Sequence, residues 1–172
     1  MKYLLLTAFF AVTACKHEQE VKIPDPVLIT EYDVSYCCQM TVLGHEGPKG
    51  QIHLKNQSTP LFFTQVRDVI AYLKAPERDA EILAVYVSDL AAAPSWADMG
   101  EGNWIDANTA YFVVGAEVRG GMGAPEIVPF SKADAAQKFT AQYGGMVMSL
   151  ADIPKQAVLG EIDMDMKMEI PE

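Results

Sequence analysis

Cysteine is scarce in this chain, and its few positions limit what the protein can be. Only Cys15, Cys37 and Cys38 occur among 172 residues. Cys15 follows an apolar leader, so the folded part retains two adjacent thiols. Adjacent cysteines can close only a strained ring, which excludes a disulfide framework. In an oxidising compartment, two free thiols suggest that metal ligation uses or protects them.

Basic residues are also few. The chain has 13 Lys and Arg against 23 Asp and Glu, a formal net charge of −10 at pH 7. Nucleic acid and anionic lipid repel a chain of this charge, so we expect no nucleic-acid partner and no membrane binding through a basic patch. An acidic surface is compatible with a cation carrier or with a basic partner protein.

Several catalytic signatures are missing. The sequence contains no Walker loop and no HExxH, GxSxG or CxxC motif. The run Gly120-Gly121-Met122-Gly123 lacks the strand-to-helix context of a dinucleotide-binding loop. The N-terminal apolar run from Tyr3 to Val12 is shorter than the about 20 residues that a transmembrane helix needs. These absences favour a binding protein over the enzyme classes that those motifs mark.

What is present begins with a lipoprotein leader. Lys2 gives a basic start, and Val12-Thr13-Ala14-Cys15 resembles the bacterial lipobox. In such leaders residues 1–14 are removed and Cys15 is acylated, and two or more acyl chains make anchoring stable. Lys16 after the cysteine resembles the pattern that sorts lipoproteins to the outer membrane. The alternative is an ordinary secretory signal in which Cys15 is a spare thiol.

The rest of the sequence predicts an α+β fold of two related ββαβ units. The evidence is a repeated order of strand, glycine loop, strand, helix and strand. Period alone leaves open whether the two units share a core. The predicted segments are a lipidated N-terminus and flexible tether (15–30), the first unit (31–93), a connector (94–104), the second unit (105–160) and a Met-rich acidic tail (161–172).

Each predicted element follows from hydrophobic periodicity and from glycine or proline stops. Ser131 is expected to cap the second helix, and Gly144-Gly145 to end it. The predicted strands are 33–43, 51–55 and 81–90 in the first unit and 110–118, 126–130 and 146–150 in the second, with helices at 64–73 and 132–142.

The segment Cys37-Cys38-Gln39-Met40 indicates a metal site. On an extended strand, alternate side chains point to one face, so Cys38 and Met40 would converge while Cys37 and Gln39 face away. Thiolate and thioether sulfurs are soft donors that select Cu(I) over harder divalent ions. The alternative is that both residues belong to the core.

Other residues could complete such a site. Met122 lies between glycines with no local core to fill, so it is either a packing residue or a displayed ligand. If the units pack with pseudo-symmetry, Met122 approaches the Cys-x-Met face. His45 offers a neutral imidazole to Cu(I) or Zn(II). Glu46, His53 and Cys37 are candidates for a supporting role or for a second ion such as Zn(II).

The tail carries three more thioethers. Met164, Met166 and Met168 alternate with charged residues. On a strand they would form one copper-collecting face, and the alternative is a poorly ordered acidic tail.

In combination these features resemble the NosL family, lipoprotein accessory factors of nitrous oxide reductase maturation. The family usually carries Cys-Gly-Met, and Gln39 occupies the glycine position here. The residues that carry the resemblance are the lipobox, Cys38-Gln39-Met40, His45-Glu46-Gly47-Pro48-Lys49-Gly50-Gln51-Ile52, Pro60-Leu61-Phe62-Phe63 before Val66-Arg67-Asp68, Gly121-Met122-Gly123 to Pro129-Phe130, and Phe139 to Gly144-Gly145.

The resemblance implies a lipid-anchored, periplasm-facing copper chaperone without catalytic turnover. Its partners would be the copper ion, apo nitrous oxide reductase with its maturation machinery, and the membrane through the anchor. The implied role is delivery of Cu(I) to the copper-sulfide cluster of the reductase. Two alternatives remain open: a thiol-disulfide oxidoreductase using Cys37 and Cys38, and a metal-free, partner-binding lipoprotein.

Overall fold

The described part of the chain combines short strands and helices. The computed structural model describes residues 22–77, 80–161 and 171. Cys15 and the three tail methionines lie outside the described residues, and with them the predicted lipidation site and both alternatives for the tail. Among the residues that are described, no helix is long and apolar enough to cross a membrane.

The α+β class and the ββαβ order of both units are confirmed. The first unit is β1-β2-α1-β3 and the second is β5-β6-α2-β7. The elements in chain order are a 3₁₀ turn (Val42–Gly44), β1 (Gly50–Leu54), β2 (Leu61–Phe63), α1 (Val66–Lys74), β3 (Ile82–Ser88), β4 (Trp104–Asp106), β5 (Tyr111–Val114), β6 (Val128–Phe130), α2 (Ala133–Tyr143), β7 (Met146–Met148) and α3 (Gln156–Leu159).

Two antiparallel sheets organise these elements. The first has the strand order β2-β1-β3-β4, and the second has the order β6-β5-β7. Strand β4 begins at the end of the predicted connector and pairs with β3, Val87 lying opposite Ile105. The connector therefore returns the chain to the edge of the first sheet.

The predicted strand at 33–43 is wrong. Val34 and Thr41 form one isolated antiparallel bridge, and the chain reverses between them. The reversal occurs because Gln39 takes a left-handed conformation, with φ of 58°. An extended strand cannot continue through such a residue. The first strand of the unit is instead β1, and β2 was missed by the periodicity because it is only three residues long.

The predicted cap of the second helix is also wrong. Helix α2 begins after Lys132, and no side chain caps it. Ser131 lies one residue too early, and its N–H donates to Asp89 Oδ1 at 2.9 Å. The other predicted end is confirmed, since Gly144 stands at the C-cap with φ of 74°.

One core joins the two units. Ile52 and Phe63 of the first sheet and Val69 of α1 pack in the same buried cluster as Phe112 and Ile127 of the second unit. Strand β5 is buried on both faces, because Val113 points to a second cluster that contains Ala136 of α2. The question of whether the units share a core is thereby answered.

Residues 22–30, the N-terminal strap, lie across the first sheet. Gln51 mimics a backbone strand there: its Oε1 accepts the Val27 N–H and its Nε2 donates to the Val27 C=O, both at 2.9 Å. The Tyr86 hydroxyl donates to the Pro24 C=O at 2.9 Å. The prediction of a free tether is wrong for these residues, because buried polar groups on the sheet face take their hydrogen-bond partners from the strap.

Candidate metal centre

The Cys turn, residues 35–40, carries both thiols at a chain reversal. The Ser35 N–H donates to the Met40 C=O at 2.8 Å, and the Gln39 N–H donates to the Ser35 C=O at 2.9 Å. Cys37 is exposed and Cys38 is partly buried, and Met40 is 49% exposed. Because these residues form a turn, the strand-parity argument that paired Cys38 with Met40 does not apply.

The Cys turn is attached to the end of β2. The Tyr36 N–H donates to the Phe62 C=O at 2.8 Å. The Tyr36 ring packs 5.9 Å from that of Phe63 and 5.5 Å from that of Tyr72, measured between ring centroids. Backbone pairing and aromatic contact together hold an exposed, sulfur-rich loop in one place.

Cys37 lies within electrostatic range of helix α1. Desolvation, as the largest cause, and the charges of Asp68 and Cys38 together raise the pKa of the Cys37 thiol to about 11. Although this residue is exposed overall, its sulfur is therefore a protonated thiol at neutral pH.

His45 has one ring nitrogen free for a metal. Its Nδ1 lies 3.0 Å from the Thr41 C=O. A carbonyl oxygen can only accept, so Nδ1 carries the proton and Nε2 keeps its lone pair. The hydrogen bond to the Thr41 carbonyl orients the His45 ring and fixes its tautomer. Histidines that bind metals commonly donate their second ring nitrogen to a backbone carbonyl in this way.

Met122 lies in the glycine loop, residues 119–125, which closes on itself. Arg119 and Pro125 form an isolated bridge, and the Gly123 N–H donates to the Gly120 C=O at 2.8 Å. Met122 is 37% exposed. Its N–H donates to Gln65 Oε1 at 3.4 Å, which ties the second-unit loop to the start of α1.

The glycine loop rests directly on the first unit. A Cβ built on Gly121 would lie 2.7 Å from His45 Cβ and 2.7 Å from the Glu46 C=O. A Cβ on Gly120 would lie 2.5 Å from Glu126 Oε2 and 2.7 Å from Gln65 Oε1. Only glycine permits this approach. The glycine loop of the second unit therefore meets the His45–Glu46 segment of the first, and the approach of Met122 to Cys38 and Met40 stays a prediction.

Two buried charged residues support these loops, and the sequence reasoning missed both. Lys49 Nζ donates to the Glu46 C=O at 3.0 Å and to the Gly47 C=O at 2.7 Å, and burial lowers its pKa to about 8. Glu126 Oε1 accepts from the Arg67 N–H and from its neighbour Ile127. Burial raises the pKa of Glu126 to about 8. Nothing in the local sequence distinguishes these residues from exposed charges.

His53 lies on the opposite side of β1 from the shared core. It is buried, with 7% exposure. Gln51 Oε1 lies 2.9 Å from His53 Nε2, which donates because the amide oxygen only accepts. The Tyr86 ring packs edge-on to the imidazole, and burial lowers the pKa of His53. Among the described contacts, none joins His53 to His45 or to Met122.

Carboxylate, imidazole and thiol groups do not form a ready-made cluster. Within residues 22–77, 80–161 and 171, no three His, Cys, Asp or Glu side chains lie close enough to hold a metal ion together. Cys38, Met40, His45 and Met122 stay predictions as ligands. The fold places His45 and Met122 on loops that pack together. It also attaches the Cys turn and the glycine loop to residues 62–65, through Phe62 and Gln65.

Comparisons with known proteins converge on one family. The NosL family model matches residues 26–158. The copper-binding lipoprotein NosL of Achromobacter cycloclastes is 46% identical over 165 residues, covering 95% of this chain and 85% of the relative. The copper-binding lipoprotein NosL of Stutzerimonas stutzeri is 30% identical over 153 residues, covering 88% and 78%. The crystal structure of the copper chaperone NosL from Shewanella denitrificans superposes with a TM-score of 0.70 at 31% identity, covering 77% of this chain and 96% of that one.

Proposed function

This chain belongs to the NosL family, and from that premise we propose that it is a copper chaperone that binds Cu(I) and delivers it to the copper-sulfide cluster of nitrous oxide reductase. One observation carries the proposal. The glycine loop of the second unit rests on His45 and Glu46 of the first, which brings a thioether-bearing loop to the first-unit candidates.

The proposed ligands are the Cys38 thiolate and the Met40 and Met122 thioethers, with His45 Nε2 as a further donor. Soft sulfur donors favour Cu(I), and the imidazole suits it as well. Met40 and Met122 are both partly exposed, so an acceptor can approach the ion from solvent. A site with few, accessible ligands allows release through intermediates in which donor and acceptor share the ion.

A second ion is part of the proposal. His45 Nε2 and the exposed Glu46 carboxylate are donor types that Zn(II) accepts. Zinc would therefore compete for His45, while the sulfur donors keep their preference for Cu(I). Titration of zinc into the copper-loaded protein, with the His45→Ala variant as control, measures that competition.

We propose that the protein works at the membrane surface of the periplasm. Acylation of Cys15 would anchor it, at the outer membrane if Lys16 acts as the sorting signal. A Cys15→Ser form should lose membrane association, and a fragment beginning at residue 22 should bind Cu(I) as the full chain does. The anchor then positions the chaperone without forming its site.

The raised pKa of the Cys37 thiol disfavours the alternative function of thiol-disulfide oxidoreductase. Attack on a disulfide requires a thiolate, and desolvation together with the charges of Asp68 and Cys38 raises the pKa of this thiol to about 11. We propose binding and transfer without turnover.

The test is Cu(I) titration of the fragment from residue 22 against a competing chelator. Cys38→Ser should weaken binding more than Cys37→Ser, because the family motif aligns Cys38 with Met40. With sulfide added as the sulfur source, Cu(I)-loaded fragment should then restore the copper-sulfide cluster in apo reductase, and the absorption spectrum of the cluster measures this. A fragment that fails to bind Cu(I) refutes the function, and a larger loss at Cys37 reassigns the thiolate.

A further inference from the structure

Gln65 lies between the glycine loop and helix α1, and its side chain is buried, with 3% exposure. Its Nε2 donates to Asp68 Oδ1 at 3.1 Å. Its Oε1 accepts the Met122 N–H at 3.4 Å. A carboxylate only accepts and a backbone N–H only donates, so both partners require the same orientation of the amide.

The segment that carries Gln65 also anchors the Cys turn. Phe62, three residues earlier, accepts the Tyr36 N–H. Phe63 and Thr64 between them are fully buried, and Gln65 itself is extended, with φ of −148° and ψ of 149°. Three extended residues span about 10 Å. The Cys turn and the glycine loop are therefore attached to neighbouring points of one rigid segment.

The fit around Gln65 is close. Its Oε1 lies 2.7 Å from the position of a Cβ on Gly120, so the loop backbone touches the amide directly. Asp68, which holds the other end of that amide, lies within electrostatic range of Cys37. Gln65 is thus in contact with the glycine loop on one side and bonded to a neighbour of the Cys turn on the other.

We propose that Gln65 is a positioning residue for copper: its amide holds the Met122 backbone beside the Cys turn, so that a donor from each unit reaches one ion. The inference rests on the proposed function. Gln65 touches no ion itself, because its two polar atoms are occupied by Asp68 and Met122. It affects copper binding only by fixing the position of the glycine loop.

A double-mutant cycle tests this role. Gln65→Leu should weaken Cu(I) binding about tenfold, as expected for the loss of one hydrogen bond that holds a ligand. In a Met122→Leu background, the same change should have no further effect on Cu(I) affinity, because the loop then carries no donor. A merely structural role would lower Cu(I) affinity by the same factor in both backgrounds, and that result would overturn the proposal.

The swapped pair gives a matched rescue. Gln65→Glu combined with Asp68→Asn keeps an oxygen acceptor for the Met122 N–H and reverses the direction of the second hydrogen bond. Its Cu(I) affinity should lie within about threefold of the unsubstituted fragment, since both bonds are retained. An affinity as low as that of Gln65→Leu would contradict the assignment.

Amide hydrogen exchange tests the hydrogen bond between the Met122 N–H and Gln65 Oε1 in the metal-free protein. The Met122 amide should be protected in the unsubstituted fragment, exchange faster in Gln65→Leu and recover protection in the swapped pair. An unprotected Met122 amide in the unsubstituted fragment overturns the proposal even if a variant fails to fold. Failure of that fragment to bind Cu(I) would instead refute the proposed function, and the exchange data would still decide whether Gln65 holds the loop.

Discussion

Gln39 shows how one residue shapes the Cys turn. It occupies the position where the family usually has glycine, and its φ is 58°. A residue with a Cβ pays about 1–2 kcal/mol in this region. The side chain offsets part of that cost, because Nε2 donates to the carbonyls of Ser35 and Tyr36 at 3.3 and 3.1 Å.

This account predicts different effects on stability for two small substitutions at Gln39. Gln39→Ala keeps the strained φ and loses both hydrogen bonds, so it should lower the free energy of unfolding by about 1 kcal/mol. Gln39→Gly loses the same bonds and relieves the strain, so it should change stability by less than about 0.5 kcal/mol. Denaturant unfolding of the two apo variants measures the difference, and equal losses would show that the turn is not strained.

Glu126 makes stability depend on pH. Desolvation raises its pKa in the folded state from 4.5 to about 8, while hydrogen bonds from the Arg67 and Ile127 N–H groups and the charge of Lys49 act in the other direction. Between those two pH values, the folded state binds more protons than the unfolded state. The free energy of unfolding therefore falls as pH rises through this window.

Glu126→Gln should remove that dependence. The amide oxygen can still accept from Arg67 and Ile127, and the side chain no longer titrates. Relative to the unsubstituted protein, the variant should gain on the order of a few kcal/mol between pH 5 and pH 8. Denaturant unfolding at both pH values checks this, with the exposed Glu101→Gln as control. Parallel pH profiles for Glu126→Gln and the unsubstituted protein would refute it.

At the scale of elements, the glycine loop joins the two units through close backbone contact. Gly121 stands where a Cβ would meet the Glu46 carbonyl, which cannot move aside as a flexible side chain can. The His45 segment beneath it is itself held by Lys49, whose Nζ donates to two successive carbonyls. The Glu46 side of the contact is therefore held in place, and a Cβ on Gly121 would have to be accommodated by movement of the glycine loop.

Gly121→Ala should therefore displace the loop. We expect a stability loss of about 1–3 kcal/mol from overpacking, together with weaker Cu(I) binding. Gly115→Ala is the matched control: it has positive φ but open space around its Cβ, so it should cost stability without changing Cu(I) affinity. Thermal unfolding and chelator competition on both variants separate the effects. Unchanged affinity in Gly121→Ala would place Met122 outside the site.

At the scale of the whole molecule, the N-terminal strap completes the fold. It supplies both backbone partners of the Gln51 amide and the acceptor of the Tyr86 hydroxyl. Without it, the buried Gln51 and His53 side chains face solvent with fewer partners. The strap is thus part of the folded domain, and any flexible tether to a lipid must lie before it in the chain.

Truncation tests the strap. A fragment beginning at residue 31 should be less stable than one beginning at residue 22 by about 2–4 kcal/mol, because it loses the three hydrogen bonds to Gln51 and Tyr86 and exposes apolar surface. Its Cu(I) affinity should stay nearly unchanged, because the described bonds of the strap to Gln51 and Tyr86 do not include the proposed ligands. Denaturant unfolding and chelator titration of both fragments provide the comparison. Equal stability of the two fragments would mean that the strap does not stabilise the fold.

Local signals in the sequence determined the class of protein. Hydrophobic periodicity and glycine stops predicted α+β structure and the ββαβ order, because both features act within a few residues. The soft donors Cys38, Met40 and Met122, with the family motifs around them, pointed to copper. These inferences need residue types and spacing, and no knowledge of what packs against them.

Tertiary structure decided the rest, because it depends on partners far along the chain. Gln39 reverses the Cys turn in a conformation that its residue type disfavours, which strand periodicity cannot detect. Val27 of the strap is hydrogen-bonded to Gln51, 24 residues away in the sequence, and Met122 to Gln65, 57 residues away. Glu126 looks like any surface carboxylate until the fold buries it within electrostatic range of Lys49. Burial and close backbone approach are properties of the packed chain, so only the fold could bring the glycine loop of the second unit onto the His45 segment of the first.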